Sequence, residues 1–221
     1  MKSVLSTKKL SPAQKELLLN AGLSFVEYDA VLIEPVEFNV PSQIQYALFT
    51  SQNAVESFVN NAPDSTQIEH VLCVGTKTAN LLSQNGIKVT KIAKNSTELA
   101  QNVINMAQNG PFYYFCGTQR RDELPDALKL AKIDLIEVKT YKTELNLLVF
   151  EQKWDGILFF SPSGIESYSA KNSIDSSVAF CIGETTASEA KKYTQNVVVA
   201  NTTSVESVIA KAAKKLKYVE N

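Results

Sequence analysis

The residues best suited to holding a ligand lie where short apolar runs give way to amphipathic stretches. Every such junction carries Ser, Thr, Asn or Gly. The junctions are Thr7-Lys8-Lys9, Ser51-Gln52-Asn53, Gly75-Thr76-Lys77-Thr78 and Lys94-Asn95-Ser96-Thr97, then Gly117-Thr118-Gln119-Arg120-Arg121, Ser161-Pro162-Ser163-Gly164, Gly183-Glu184-Thr185-Thr186 and Asn201-Thr202-Thr203-Ser204. Such side chains cap the free N–H groups of a helix start. The same hydroxyls and amides, at the positive end of a helix dipole, also suit an anion. One helix start contributes only about 0.3–1 kcal/mol, so a polyanionic small molecule would need many acting together. Capping and ligand binding both fit these residues.

Conventional acid–base and metal chemistry is thinly supplied. The only histidine is His70, beside Val71 and Leu72, and it reads as structural or surface. Cys73, Cys116 and Cys181 each sit in an apolar run; an odd count at wide spacing builds neither a disulfide framework nor a zinc site. They read as buried free thiols. No G-x-G-x-x-G, G-x-x-x-x-G-K-[ST] or G-x-S-x-G occurs, so the dinucleotide, Walker-type and nucleophile-elbow fingerprints are missing. A formal net charge of −1 over 221 residues gives no basic field for nucleic acid or an acidic membrane. Apolar runs fall well short of the roughly 18 residues of a membrane span. Met1 to Leu10 lacks an apolar segment followed by a cleavage site, so a cytoplasmic location is expected.

The elements that must carry these junctions alternate from end to end. Strands are predicted at Val4-Leu5, Leu23 to Tyr28, Tyr46 to Thr50, Val71 to Val74, Ile87 to Ile92, Phe112 to Cys116 and Ile133 to Glu137. Gly156 to Phe160, Val178 to Ile182 and Asn196 to Ala200 follow. Helical stretches separate most of them, the first opened by Ser11-Pro12 and closed by Gly22. This pattern predicts βαβ units and parallel sheets buried on both faces. Asp29 to Val40 and Val138 to Leu147 lack helical periodicity and read as two extended crossings between domains, paired as a short ribbon. Pro35 and Pro41 keep the first from being a central strand.

An internal repeat organises the chain. Leu48 to Phe58 resembles Leu158 to Tyr168, Cys73 to Ala79 resembles Cys181 to Ala187, and Asn95 to Leu99 resembles Asn201 to Val205. The offsets are 110, 108 and 106 residues (48 to 158, 73 to 181, 95 to 201). Leu23 to Glu27 also aligns with Ile133 to Glu137. The chain thus reads as two copies of one α/β unit. Ligands of open parallel sheets lie outside the carboxyl ends of the strands, so two such sheets facing each other would line a cleft with donors.

These motifs resemble those of the uroporphyrinogen-III synthase family. The matching boxes are Phe49 to Val55, Val74 to Ala79, Gly117 with Arg120 or Arg121 and Leu124, Tyr141-Lys142-Thr143, Phe159 to Gly164, and Ile182 to Ala187. They follow the family order across essentially the whole chain. Departures are Phe160, where the box often has Thr, and Lys132, where a helix-ending glycine is common. The resemblance implies two similar parallel-sheet domains of flavodoxin or Rossmann type, joined by a two-stranded β-ladder. The expected bounds are 1–29 plus 148–221 for a discontinuous domain, 42–137 for an inserted one, and 30–41 with 138–147 for the ladder.

It further implies a cofactor-independent lyase that closes hydroxymethylbilane, a linear tetrapyrrole with eight carboxylates, into uroporphyrinogen III. Loss of the substrate hydroxyl as water gives an azafulvene cation. Ring D then closes through a spiro intermediate and is turned over. The bilane also cyclises spontaneously to the unturned isomer, so conformational control is the expected contribution. On this resemblance Tyr141 assists hydroxyl departure. Thr78 and Thr186 donate to substrate carboxylates, with Ser51, Ser161, Ser163, Thr185 and Arg121 as further binding residues. A monomer is expected, with no metal or nucleic-acid partner; a transient contact with the preceding pathway enzyme fits the family. A non-catalytic hinged binder of anionic tetrapyrroles or other polyanions stays open as a second reading.

Overall fold

The computed structural model describes residues 1–106 and 110–217. The chain divides into two compact units, Met1–Leu32 together with the chain from Glu144 onward, and Ile33–Thr143. In chain order the elements are β1 (Lys2–Ser6), α1 (Pro12–Asn20), β2 (Leu23–Glu27), β3 (Val31–Pro35), β4 (Gln43–Phe49) and α2 (Gln52–Asn61). Next come β5 (Gln67–Val74), α3 (Thr76–Gln84), β6 (Lys91–Ala93), α4 (Ser96–Met106), β7 (Phe112–Gly117), α5 (Glu123–Leu130) and β8 (Leu135–Leu145). The last third supplies β9 (Gly156–Phe159), α6 (Pro162–Ser169), β10 (Val178–Cys181), α7 (Glu184–Ala190), β11 (Val197–Val199) and α8 (Val205–Leu216). The chain is therefore α/β with two sheets. Among the described residues, no helix is long and apolar enough to cross a membrane.

The first unit carries a five-stranded sheet in the order β11-β10-β9-β1-β2, with every pair parallel. Strands covered on both faces must be apolar at consecutive positions, and β9 and β10 are buried at all four residues each. Alternation sends Leu5, Ile157 and Phe159 into one layer with Trp154 and Tyr168. Val4, Leu158 and Phe180 enter the other, against Leu18 of α1 and Val208 and Ile209 of α8. Each such side chain stabilises the fold by roughly 1.5–3 kcal/mol relative to exposure.

The second unit repeats this plan. Its sheet runs β3-β8-β7-β4-β5-β6, with parallel pairing from β8 through β6. Phe49, Val71, Cys73 and Phe115 pack beneath α2 and α3, whereas Leu48, Leu72, Tyr114 and Cys116 face Leu99 and Val103 of α4 and Leu124 and Leu128 of α5. Reading outward from β4 or β9, the two sheets have the same strand order. β4, β5 and β6 correspond to β9, β10 and β11, and β7 and β8 to β1 and β2. The repeat is thus architectural.

Several boundaries differ from the sequence reading. The strand expected over Ile87 to Ile92 is only Lys91–Ala93; Gly86 is left-handed at φ 76° and Ile87 turns its N–H back to Leu82 O, so the chain joins the ladder late. The second extended crossing is not separate from the strand before it, because β8 is one strand from Leu135 to Leu145. The first crossing holds β3, the edge strand beside β8, as Pro35 requires. Asn196 and Ala200 fall outside β11. Lys132 stands left-handed at φ 57° where the other copy has Gly22 at φ 72°. All three cysteines are free and buried; burial pushes the Cys73 thiol up to about 11 and that of Cys181 up to about 12. His70 lies half-buried on β5, stacked on Tyr46 with ring centroids 5.2 Å apart.

Candidate active site

In the second unit the chain steps from β4 to β5 and β6 on one side, then returns to place β7 and β8 on the other. The helices of the first stretch and those of the second therefore cover opposite faces, and their loops part between β4 and β7. A crevice at the carboxyl ends of the strands follows from this reversal. A cleft of about 430 Å³ occupies that place. Thr50 and Ser51 line it after β4, Lys94, Asn95 and Ser96 after β6, and Cys116, Gly117, Gln119, Arg120, Arg121 and Glu123 at and after the end of β7. The starts of α2, α4 and α5 thus border one space.

Tyr141 crosses into this cleft from β8. The β7–β8 register shifts between Cys116 and Gly117, bringing Gly117 opposite Tyr141. A Cβ on Gly117 would stand 2.8 Å from the Tyr141 ring, so only glycine leaves the ring its place. The tyrosine backbone is fixed by the Thr118 N–H, which donates to Tyr141 O at 2.8 Å. Its neighbour Thr140 is fully buried, its carbonyl accepting from Ser57 Oγ and the Val36 N–H. The buried ring carries its phenol oxygen to 3.1 Å from Ser51 Oγ. Ser51 is at the same time the N-cap of α2, accepting the Ala54 N–H at 3.1 Å.

A second phenol was missed in the sequence. Tyr114 of β7 is buried, lines the cleft and pairs with Thr50 Oγ1 at 2.8 Å. Burial raises this phenol above its ordinary value of 10, so it keeps its proton at neutral pH. The available signal was alternation: Tyr114 is two residues before Cys116 in a central strand that ends at a ligand-prone Gly.

The two arginines divide their work. Arg120 donates from Nε to Glu137 Oε2 at 3.0 Å and also pairs with Glu137 Oε1 and Asp122. Lys139 reaches the same Glu137 carboxylate. Arg120 is thereby a strut between β8 and the loop before α5. Arg121 lines the cleft, is exposed, and has no carboxylate partner among the described residues. It is the guanidinium available to an anion.

The cleft therefore brings together Ser51, Arg121 and Tyr141. Thr78 is not among its lining residues; it sits in the first turn of α3 on the packed side and is buried. In the first unit, Ser161 caps α6 by accepting the Gly164 N–H at 3.0 Å, as Ser51 caps α2. Ser163 lies in the first turn of α6. Thr185 and Thr186 lie in the first turn of α7, the former exposed and the latter buried. Position in the turn decides this, because the third residue of α3 and of α7 is buried against the sheet.

Residues 14–210 match the family model described as uroporphyrinogen-III synthase HemD. The chain belongs to the uroporphyrinogen-III synthase family. Members are cyclising hydro-lyases of haem biosynthesis acting on a small-molecule tetrapyrrole. Among solved structures, the chain is similar to the uroporphyrinogen-III synthetase of Helicobacter pylori, with a TM-score of 0.75 at 16% identity over 97% of this chain and 100% of that one. It is also similar to a mutant uroporphyrinogen III synthase from the extremely thermophilic bacterium Thermus thermophilus, with a TM-score of 0.60 at 15% identity over 98% and 100% of the two chains. At these identities the likeness speaks to the fold. No curated protein sequence matches the chain.

Proposed function

We propose that the chain converts hydroxymethylbilane to uroporphyrinogen III, releasing water and inverting ring D, with the second unit's cleft holding the reacting end. The carrying observation is the Tyr141–Ser51 hydroxyl pair at 3.1 Å in a cleft that Arg121 also lines. With the Ser51 proton donated to Tyr141 Oη, the phenol proton is free to point into the cleft. There it passes to the departing hydroxyl, which leaves as water; the phenolate so formed takes up the proton that the terminal ring carbon loses when the macrocycle closes. The azafulvene cation that remains is stabilised by pyrrole electrons, so the reaction itself needs no cofactor. Arg121, with Lys94 and the starts of α2, α4 and α5, holds substrate carboxylates. Ser161, Ser163 and Thr185 are assigned to further carboxylates. Thr78 and Thr186, both buried in the first turns of α3 and α7, are assigned to packing against the sheets.

The test is a coupled assay with hydroxymethylbilane, followed by oxidation and chromatographic separation of isomers I and III. Formation of isomer III is expected; exclusive isomer I would overturn the assignment. In the same assay Arg121→Gln should raise KM about tenfold, the loss expected for one charge-assisted hydrogen bond.

A further inference from the structure

From the Tyr114–Thr50 pair and its surroundings we infer that Tyr114 is a second substrate-touching phenol, one that donates to a carboxylate of the tetrapyrrole rather than to its leaving hydroxyl. The inference rests on the synthase reading and assigns the unit's other cleft tyrosine.

The two phenols reach the cleft from opposite faces of one sheet. Tyr141 belongs to the layer beneath α2 and α3, with Ala54, Phe58 and Leu82. Tyr114 belongs to the layer of α4 and α5, with Leu99, Leu124 and Leu128. On this second side the lining is Lys94, Asn95 and Ser96 at the start of α4, then Arg120, Arg121 and Glu123 at the start of α5. The start of α4, Lys94 and the Arg121 guanidinium favour negative charge there, against the single lining carboxylate of Glu123. A neutral donor among them suits a carboxylate, whereas Ser51, which lines the cleft on the Tyr141 side and pairs with that phenol, carries no charge.

Proton bookkeeping gives Tyr114 its direction. Either oxygen of the 2.8 Å pair can donate. When Thr50 donates to Tyr114 Oη, the phenol proton is released toward the cleft, so Thr50 acts as a positioning residue. Burial holds Tyr114 protonated well past neutrality, so the donor is present throughout the working range.

Steady-state kinetics of Tyr114→Phe decide the matter. KM should rise about tenfold while kcat stays within about twofold, as for loss of a hydrogen bond to a charged group made equally in ground and transition states. Thr50→Val should shift KM in the same direction by less, and Thr50→Ser should restore it, which packing alone would not do. Should Tyr114→Phe fail to fold, the Thr50 pair carries the test. An unchanged KM in Tyr114→Phe, or in Thr50→Val if that variant must stand alone, overturns the inference while the synthase reading survives. A wild-type chain that makes only isomer I overturns both. A fall in kcat alone would place Tyr114 on the leaving group and overturn the assignment to a carboxylate.

Discussion

The phenol oxygen of Tyr141 stands 3.1 Å from Oγ of Ser51, tying the middle of β8 to the N-cap of α2. Only the phenol of Tyr141 meets this contact; its ring is held independently in the layer with Phe115 and Val138. Tyr141→Phe should therefore keep the fold, read as an unchanged thermal midpoint. It should lower kcat by about a hundredfold, the lower range for a positioned acid. Turnover equal to wild type would remove Tyr141 from the chemistry.

Gly117 makes the complementary test. Adding a methyl puts a carbon 2.8 Å from Cε2 and Cζ of Tyr141, so the ring must move. Gly117→Ala should lose turnover as Tyr141→Phe does, and in addition destabilise the chain by about 1–3 kcal/mol, the usual range for overpacking. Denaturant melts beside the isomer assay would separate the two variants.

Acid stability should depend on Glu137. The hydrogen bond from Arg120 holds its carboxyl below the ordinary value of 4.5, with Lys139 adding to the effect against the opposing cost of burial. A carboxyl depressed in the folded state stabilises above its unfolded value, and the contribution is lost as pH falls through the folded value. Wild type should therefore lose stability on acidification below roughly pH 5, and Glu137→Gln should show a flatter acid limb. Parallel limbs in pH-dependent melts would contradict this role.

The two copies offer an internal control on backbone strain. Lys132 is left-handed at φ 57° where its counterpart Gly22 stands at φ 72°. A side chain there costs about 1–2 kcal/mol, partly offset by the unfolded-state entropy of glycine. Lys132→Gly should gain about 0.5–1 kcal/mol and Gly22→Ala lose a similar amount, with turnover unchanged in both. Thermal melts of the pair suffice.

Much of this architecture was legible in the residues, for reasons that can be named. Ser51 and Ser161 announce helix starts because a hydroxyl before an apolar-periodic stretch has one common use, and both do cap. The repeat was readable because β4 and β9 need the same apolar run followed by the same cap. The long β8 was not readable as one strand. Its first part pairs in parallel with β7, whereas beyond Tyr141 its residues pass from half-buried to exposed, so the burial pattern changes while the strand continues. Tyr114 was hidden for a different reason. In a strand reading Phe-Tyr-Tyr-Phe every aromatic looks like core, and the core is where its ring is; only the phenol tip reaches the cleft. Thr78 shows the converse: a hydroxyl at a ligand-prone junction that the helix turns inward.

The strand order of the first unit has a consequence for biosynthesis. β1 pairs with β2 on one side and with β9 on the other, Val4 lying opposite Gly156 and the Thr7 N–H donating to Leu158 O at 3.1 Å. As the chain emerges from the ribosome, β1 has a bare edge until some 150 residues later β9 arrives. All the residues of the second unit have appeared by then. Until then the unpaired edge of β1 is a template for pairing with another chain, so nascent β1-α1-β2 is exposed to aggregation over the whole synthesis of the second unit.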